Sequence, residues 1–368
     1  MMTATSDLIG CALEELPTPV LVLHLDAFEA NIARIAQYCR NHDTAWRPHS
    51  KAHKCPDIAR LQRQAGACGV TCAKLSEAEL MVTHGIDDVL LANQIVDPKK
   101  LQRLARLQRC ARVVAIVDCE EAAVDLGAAA AAEEVAVPVL VDIDIGMHRT
   151  GTPPGKPTLA VARTIAETPG LQLEGLMGYE GHILGLHPPD EKGAACGIAL
   201  DMLLETADLL RSQGLESATI SAGGTGSFAI TAAYPGITEV QAGGGIFMDL
   251  LYRDAFHVEE LDFALTVVAT VTSRRAERVV LDAGFKTLSA YHHPPHPLCR
   301  DDLVLDYLSA EHGVFRVAPG REGPKLKERV ELVVGYSDST TFLHDRLVGV
   351  RNGFVERVFD VLGRGLVT

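Results

Sequence analysis

Eight short, apolar, β-branched runs alternate with helix-like stretches through the first two-thirds of the chain, and few folds accept that pattern. The runs span 44–51, 68–74, 88–93, 113–118, 135–145, 171–179, 217–223 and 238–244. Between them lie segments with helical spacing of apolar residues, among them "SEAELMVTHG", "PKKLQRLARLQR", "CEEAAVDLGAAAAAEE", "KPTLAVARTIAETP" and "AACGIALDMLLETADLLRSQG". A strand that is apolar along its length is buried on both faces, as parallel strands are. Eight of them alternating with helices predict an α/β fold, a (β/α)8 TIM-type barrel. A doubly wound open sheet is the competing arrangement, but no G-x-G-x-x-G follows the first strand to support it.

After about residue 255 the texture changes. "FALTVVATVTSRRAERVVLDAG", "RVELVVG" and "RLVGVRNGFVERVFDVLGRG" read as strands with turn signals such as "RNG". The chain of 368 residues exceeds the roughly 250 of a typical barrel. The reading is therefore a barrel over 28–255 and a β-rich domain, built from 1–27 and 256–368, that completes the active site. The opening strand "TPVLVLHLDAF" (18–28) is expected to pair with the second domain. A net charge of −14 argues against nucleic-acid or anionic-membrane partners, which need a basic face. No apolar run reaches the roughly 20 residues of a membrane span, and the start lacks a charged, then apolar, leader. A cytoplasmic protein is the expectation. Nine cysteines with no C-x-x-C are expected as free thiols.

The segment "WRPHSKAHKCP" (46–56) concentrates one Arg, two His and two Lys. If 46–53 is extended, Arg47, His49, Lys51 and His53 share one face, because side chains alternate. At the C-terminal end of a barrel strand that row enters the mouth where barrel enzymes work. Lys51 lies on the row and Lys54 does not. A solvated basic turn is the plainer account of the segment alone.

Other strand ends add to it. "SAGGTGSF" (221–228) and "QAGGGIFMD" (241–249) follow the last two barrel strands, where barrels often hold phosphate. Glycine turns there bring backbone N–H groups close to an anion; turns that are glycine-rich only for their geometry are the alternative. "DIGMHRTG" (144–151) ends a strand with Arg149, and "GYEGHI" (178–183) ends another with Tyr179 and His182. Taken singly, Arg149 fits a surface salt bridge and Tyr179 a core position. An inward lysine, an arginine, a tyrosine and a phosphate cradle together point to pyridoxal 5'-phosphate (PLP) as cofactor.

The segments "RPHSKAHK", "CAKLSEAE", "DIGMHRTG", "GGTGSF", "QAGGGIFMD", "LDAGFKTLS" and "LHDRLVGVRNGFVE" carry a resemblance that covers nearly the whole chain. The sequence resembles the fold-type III PLP enzymes of the D-threonine aldolase / D-serine dehydratase group, whose barrel is shared with alanine racemases. The resemblance implies that Lys51 is the lysine that binds the cofactor, that Arg149 contacts its phenolic oxygen and that Tyr179 lines its ring. It further implies that Gly224, Thr225, Gly226, Gly243 and Gly244 hold the phosphate. A homodimer is implied, with the barrel mouth completed by the partner's β domain.

One segment departs from the family. The aldolases and dehydratases carry a His-Cys-Asp or His-x-Cys motif near the C-terminus for a divalent metal; here "VGYSDSTTFLHD" places Tyr336 at the His and Asp338 at the second ligand. Zinc favours imidazole and thiolate, so the pair makes a poor zinc site; magnesium or manganese through Asp338 would be held only weakly, and a chelator is expected to change activity little. The family's catalytic His six residues after the Tyr is Gly185 here; His182, or His187 in the same loop, is the substitute. The expected activity is retro-aldol cleavage of a D-3-hydroxy amino acid to glycine and an aldehyde, with Lys51, Tyr179, His182 and Tyr336 as catalytic residues. An amino acid racemase or epimerase, with Tyr336 as the second proton donor, is the alternative, followed by a dehydratase. A non-catalytic PLP-binding barrel shares the lysine but not the length or the β domain.

Overall fold

The computed structural model describes residues 7–215 and 217–368; the first six residues of the expected 1–27 segment lie outside it. In chain order the first half runs β1 (Val20–His24), α1 (Leu25–Asn41), β2 (Ala45–Trp46), α2 (Pro56–Gln64), β3 (Val70–Cys72), α3 (Leu75–Thr83), β4 (Asp88–Leu91), α4 (Pro98–Leu107), β5 (Arg112–Val117) and α5 (Glu120–Ala132). It continues with β6 (Val137–Ile143), α6 (Lys156–Glu167), β7 (Leu171–Gly178), α7 (Pro189–Ser212), β8 (Thr219–Ala222), α8 (Phe228–Ala232) and β9 (Glu239–Val240). Then come β10 (Leu265–Arg275), β11 (Arg278–Leu281), α9 (Phe285–Leu288), β12 (His296–Pro297), β13 (Leu303–Leu308), β14 (Gly313–Val317), β15 (Arg329–Val333), α10 (Ser337–Thr341), β16 (Arg346–Arg351) and β17 (Phe354–Asp360).

Two compact units result. One comprises Ile35–Lys51, Ile58–Gly243 and Leu366–Thr368; the other comprises the described residues through Arg34, Ala52–Asp57 and Gly244–Gly365. In the first, eight strands pair in parallel in the order β2-β9-β8-β7-β6-β5-β4-β3. The ring closes where Cys68 N donates to Trp46 O at 2.8 Å and Thr71 N to Pro48 O at 2.9 Å, with a parallel bridge between His49 and Thr71. All eight expected barrel strands are present.

Local chemistry explains the elements. Every residue of β6 is buried, as a parallel strand covered on both faces requires. Asp97 caps α4 by accepting from Lys100 N at 3.0 Å, with Pro98 in the first turn. Glu77 accepts from Ala73 N at 2.8 Å at the start of α3. Leu90, Val114, Ile116, Leu140 and Met177 form one buried cluster within the sheet. Each such side chain contributes roughly 1.5–3 kcal/mol by leaving water.

The second unit is a nine-stranded sheet ordered β13-β14-β11-β10-β1-β16-β17, with β15 also on β10 and β12 on β15. The expected pairing of the opening strand is found: β1 lies antiparallel to β10 and parallel to β16. Phe28, Phe247 and Phe359 are fully buried and pack ring on ring, with centroids 6.2 and 6.1 Å apart. "RNG" makes the β16–β17 turn: Asn352 and Gly353 both have positive φ (52° and 80°), the tight hairpin that Asn-Gly favours. None of the nine cysteines is in a disulfide, and no helix among the described residues is long and apolar enough to cross a membrane.

Candidate active site

The barrel unit's sequence-predicted residues follow the C-terminal ends of their strands. Lys51 comes after β2, Arg149 after β6, Tyr179 and His182 after β7, Gly224, Thr225 and Gly226 after β8, and Gly243 after β9. The extended row holds only in part. β2 and its bridge end at His49, and Ser50–Ala52 turns as a 3-10 helix that presents Lys51 exposed. Buried Ser50 anchors that turn through a 3.0 Å hydrogen bond from its hydroxyl to Thr71 O. His53 is buried and belongs to the other unit.

Arg47 corrects the expected row. Its guanidinium turns to the opposite end of the barrel, where Nε donates to Glu239 Oε2 and Nη1 to Asp88 Oδ1, both at 2.6 Å. Glu239 opens β9 and Asp88 opens β4, so Arg47 stabilises the N-terminal end and takes no part at the mouth. Gly69 leaves room for it, since a Cβ there would stand 2.1 Å from Arg47 Nη1.

At the mouth, Arg149 lies over the Tyr179 ring, 5.6 Å from its centroid. Gly224 lies against the same ring, and a Cβ at 224 would come within 3.1 Å of it. Gly243 crosses the main chain that leads to Lys51: a Cβ would stand 2.2 Å from His49 O and 2.6 Å from His49 N. Trp46 secures the crossing by donating its indole N–H to Ala242 O at 2.7 Å. His182 is exposed and its ring lies over Gly146, whose φ of +118° favours glycine there.

Three carboxylates escaped the sequence reading. Asp144 turns the loop after β6, accepting from Gly146 N at 3.0 Å and His148 N at 2.9 Å. Glu180 is fully buried and accepts three hydrogen bonds from the segment after β8. Asp142 accepts from Gln94 Nε2 at 2.7 Å and from Thr150 Oγ1 at 3.0 Å, next to Arg149 in sequence. The available signal was a lone charge inside an apolar strand or at its end.

Burial pushes the Asp142 carboxyl up to about 6 from 3.8, against the pull of its two hydrogen bonds, and Asp118 adds to the rise. Because the folded value is raised, the ionised group costs stability at neutral pH. That cost falls as pH drops through 6 and is gone below about 3.8. The interval corresponds to on the order of 3 kcal/mol. Asp142→Asn is therefore expected to gain most relative to wild type at pH 7 and above, with the gain shrinking towards pH 4. Thermal melts across that range check it; a difference that is flat or grows on acidification would contradict the assignment.

In the β-rich unit, Tyr336 precedes α10 and donates its hydroxyl to Asp338 Oδ2 at 2.8 Å. The rings of Tyr252, Tyr291 and His292 surround it, with centroids 6.2, 6.4 and 6.0 Å away. Asp249, fully buried, accepts from Ser337 N at 2.8 Å and Tyr252 N at 2.9 Å. Gly244 packs on Tyr252, 2.8 Å from a Cβ position to its hydroxyl. Burial, then the Asp338 charge, pushes the Tyr336 phenol well above the ordinary tyrosine range, so it keeps its proton. A protonated phenol already donating to the neighbouring carboxylate is a poor donor set for a divalent cation. Among the described residues no group of three His, Cys, Asp or Glu is arranged to hold a metal.

The alanine racemase N-terminal domain model matches residues 23–250, well over half of the chain. A serine dehydratase domain model matches 264–350. The D-threonine aldolase of Arthrobacter sp. is 39% identical over 97% of this chain and 95% of its own length. The chain belongs to the D-threonine aldolase / D-serine dehydratase family. Within that family, a 3-hydroxy-D-aspartate aldolase of Paracoccus denitrificans (strain Pd 1222) is 35% identical over 95% of this chain and 93% of its own. The crystal structure of D-threonine aldolase from Filomicrobium marinum superposes with a TM-score of 0.95 at 37% identity, covering 98% of this chain and 99% of that one.

Proposed function

We propose that the chain is a PLP-dependent lyase that cleaves a D-3-hydroxy amino acid between Cα and Cβ, giving glycine and an aldehyde. Likeness to D-threonine aldolase over 97% of the chain carries the reading. The barrel mouth fits the cofactor: Lys51 stands exposed on an anchored turn, and Arg149, Tyr179 and Gly224 form a layer in which a Cβ at 224 would crowd the Tyr179 ring at 3.1 Å. Lys51 would carry it, Arg149 and Tyr179 would flank it, and Gly224, Thr225, Gly226, Gly243 and Gly244 would hold its phosphate. When bound, PLP supplies an electron-withdrawing ring that accepts the electron pair left at Cα.

The chain's own residues handle protons. His182 takes the proton from the substrate's β-hydroxyl, the C–O bond becomes the aldehyde carbonyl, and the Cα–Cβ bond breaks. Lys51 returns a proton to Cα, which completes glycine. Tyr336, holding its own proton, acts as a hydrogen-bonding group for the hydroxyl, a role that rests on the family resemblance. No step is assigned to a metal, because the Tyr336–Asp338 pair does not suit one. Dehydration, which expels hydroxide and benefits most from a Lewis acid, is accordingly disfavoured.

Homodimeric assembly and a cytoplasmic setting complete the proposal. Incubation with D-threonine, D-serine and D-alanine in heavy water tests the reaction. Glycine plus aldehyde is the expected outcome. A 2-keto acid plus ammonia would instead mark a dehydratase, and deuterated enantiomer a racemase.

A further inference from the structure

We infer that Glu180 is a positioning residue that sets the glycine turn 223–227 for the cofactor's phosphate. The inference rests on the PLP reading. Its side chain has no exposed surface. Oε1 accepts the hydroxyls of Ser227 at 2.7 Å and Thr231 at 2.5 Å, and Oε2 accepts Gly223 N at 3.1 Å. Ser227 gives its proton to Glu180, so its oxygen is left to accept Gly224 N at 3.3 Å. One polar chain therefore runs from carboxylate to hydroxyl to amide, into the turn itself.

Two further features tie this carboxylate to the mouth. Gly223 holds a φ of +76°, and a Cβ there would meet the Thr231 side chain at 3.0 Å, so both the backbone conformation and the packing favour glycine at the start of the turn. Glu180 also stands between Tyr179 and the 3-10 turn Gly181–Ile183 that carries His182, and its carbonyl accepts Ile183 N at 3.2 Å. A single residue thus anchors the exits of β7 and β8 to each other. A glutamine replaces it imperfectly. With its oxygen towards Gly223 N, its N–H2 faces the Ser227 and Thr231 hydroxyls, which must turn round to accept and give up the charge-assisted bonds they donate. In a buried network a mismatch of this kind is felt in full.

The test compares two ligands on full-length protein: PLP, and pyridoxal, which lacks the phosphate. Binding is followed by the visible absorbance of the lysine-bound form during equilibrium dialysis. Glu180→Gln is expected to weaken PLP by about 10- to 100-fold while pyridoxal changes by less than about threefold. A role limited to stability would move both ligands alike. Thr231→Val, which removes one donor and keeps the carboxylate, is expected to shift PLP alone in the same direction by a smaller factor, and it stands in if Glu180→Gln fails to fold. Equal weakening of both ligands, or undiminished PLP binding, overturns the inference while leaving the cofactor reading intact. A wild-type chain that binds neither ligand overturns the cofactor reading and this inference with it.

Discussion

Lys51→Ala is expected to lower turnover of a D-3-hydroxy amino acid by on the order of 10³-fold or more, and to remove the visible absorbance of the lysine-bound cofactor. The size follows from two losses at once. The amine is the only proposed covalent tether for PLP, and it also returns the proton to Cα. Its turn is held independently, by the Ser50 hydroxyl on Thr71 O and by the Gly243 crossing at His49. The substitution therefore removes chemistry without disturbing the barrel, and thermal stability should change little. Lys54→Ala serves as the control: Lys54 lies outside the Ser50–Ala52 turn that carries Lys51, and full activity is expected. If Lys51→Ala kept the absorbance band, the lysine assignment would be lost.

The second large effect concerns cations. The wild-type chain titrated with Mn²⁺ in a calorimeter is expected to show no stoichiometric binding, and chelation should leave its activity within about twofold. The cause is the donor set: the Tyr336 proton is directed at Asp338 Oδ2, so the phenol offers hydrogen-bonding capacity where a metal needs an unprotonated lone pair. Tyr336→His supplies that lone pair two residues from an acidic ligand. The variant should bind about one Mn²⁺ or Zn²⁺ per chain, and its activity should become sensitive to chelators. One ion per wild-type chain, with activity lost on chelation and restored by Mn²⁺, would overturn the assignment.

Much of the architecture was legible because it is periodic. Eight apolar runs separated by helical spacing imply a closed parallel sheet, and the Arg351-Asn352-Gly353 turn was visible in three letters. The glycine turns were legible as loops after strands, although the sequence does not tell that Gly243 is needed for a backbone crossing at His49. Strand alternation singled out Lys51 for an incomplete reason. The extended segment stops at His49, and Arg47, on the same presumed face, serves the other end of the barrel. Asp142 and Glu180 were illegible for a different cause. Their partners Gln94, Ser227 and Thr231 lie 47 to 51 residues away along the chain, and a single acidic residue carries no sequence mark of what it will accept.

The place of β1 in the nine-stranded sheet also sets a timetable for biosynthesis. Its four paired residues in β10 begin at Leu265 and those in β16 at Val348, so both neighbours leave the ribosome more than 240 residues after β1 itself. At roughly 5–20 residues per second, the apolar stretch "VLVLH" waits on the order of ten seconds to a minute with both edges unpaired. The barrel's own strands have all emerged by then. The nascent chain thus carries all eight barrel strands while β1 still lacks both of its sheet partners.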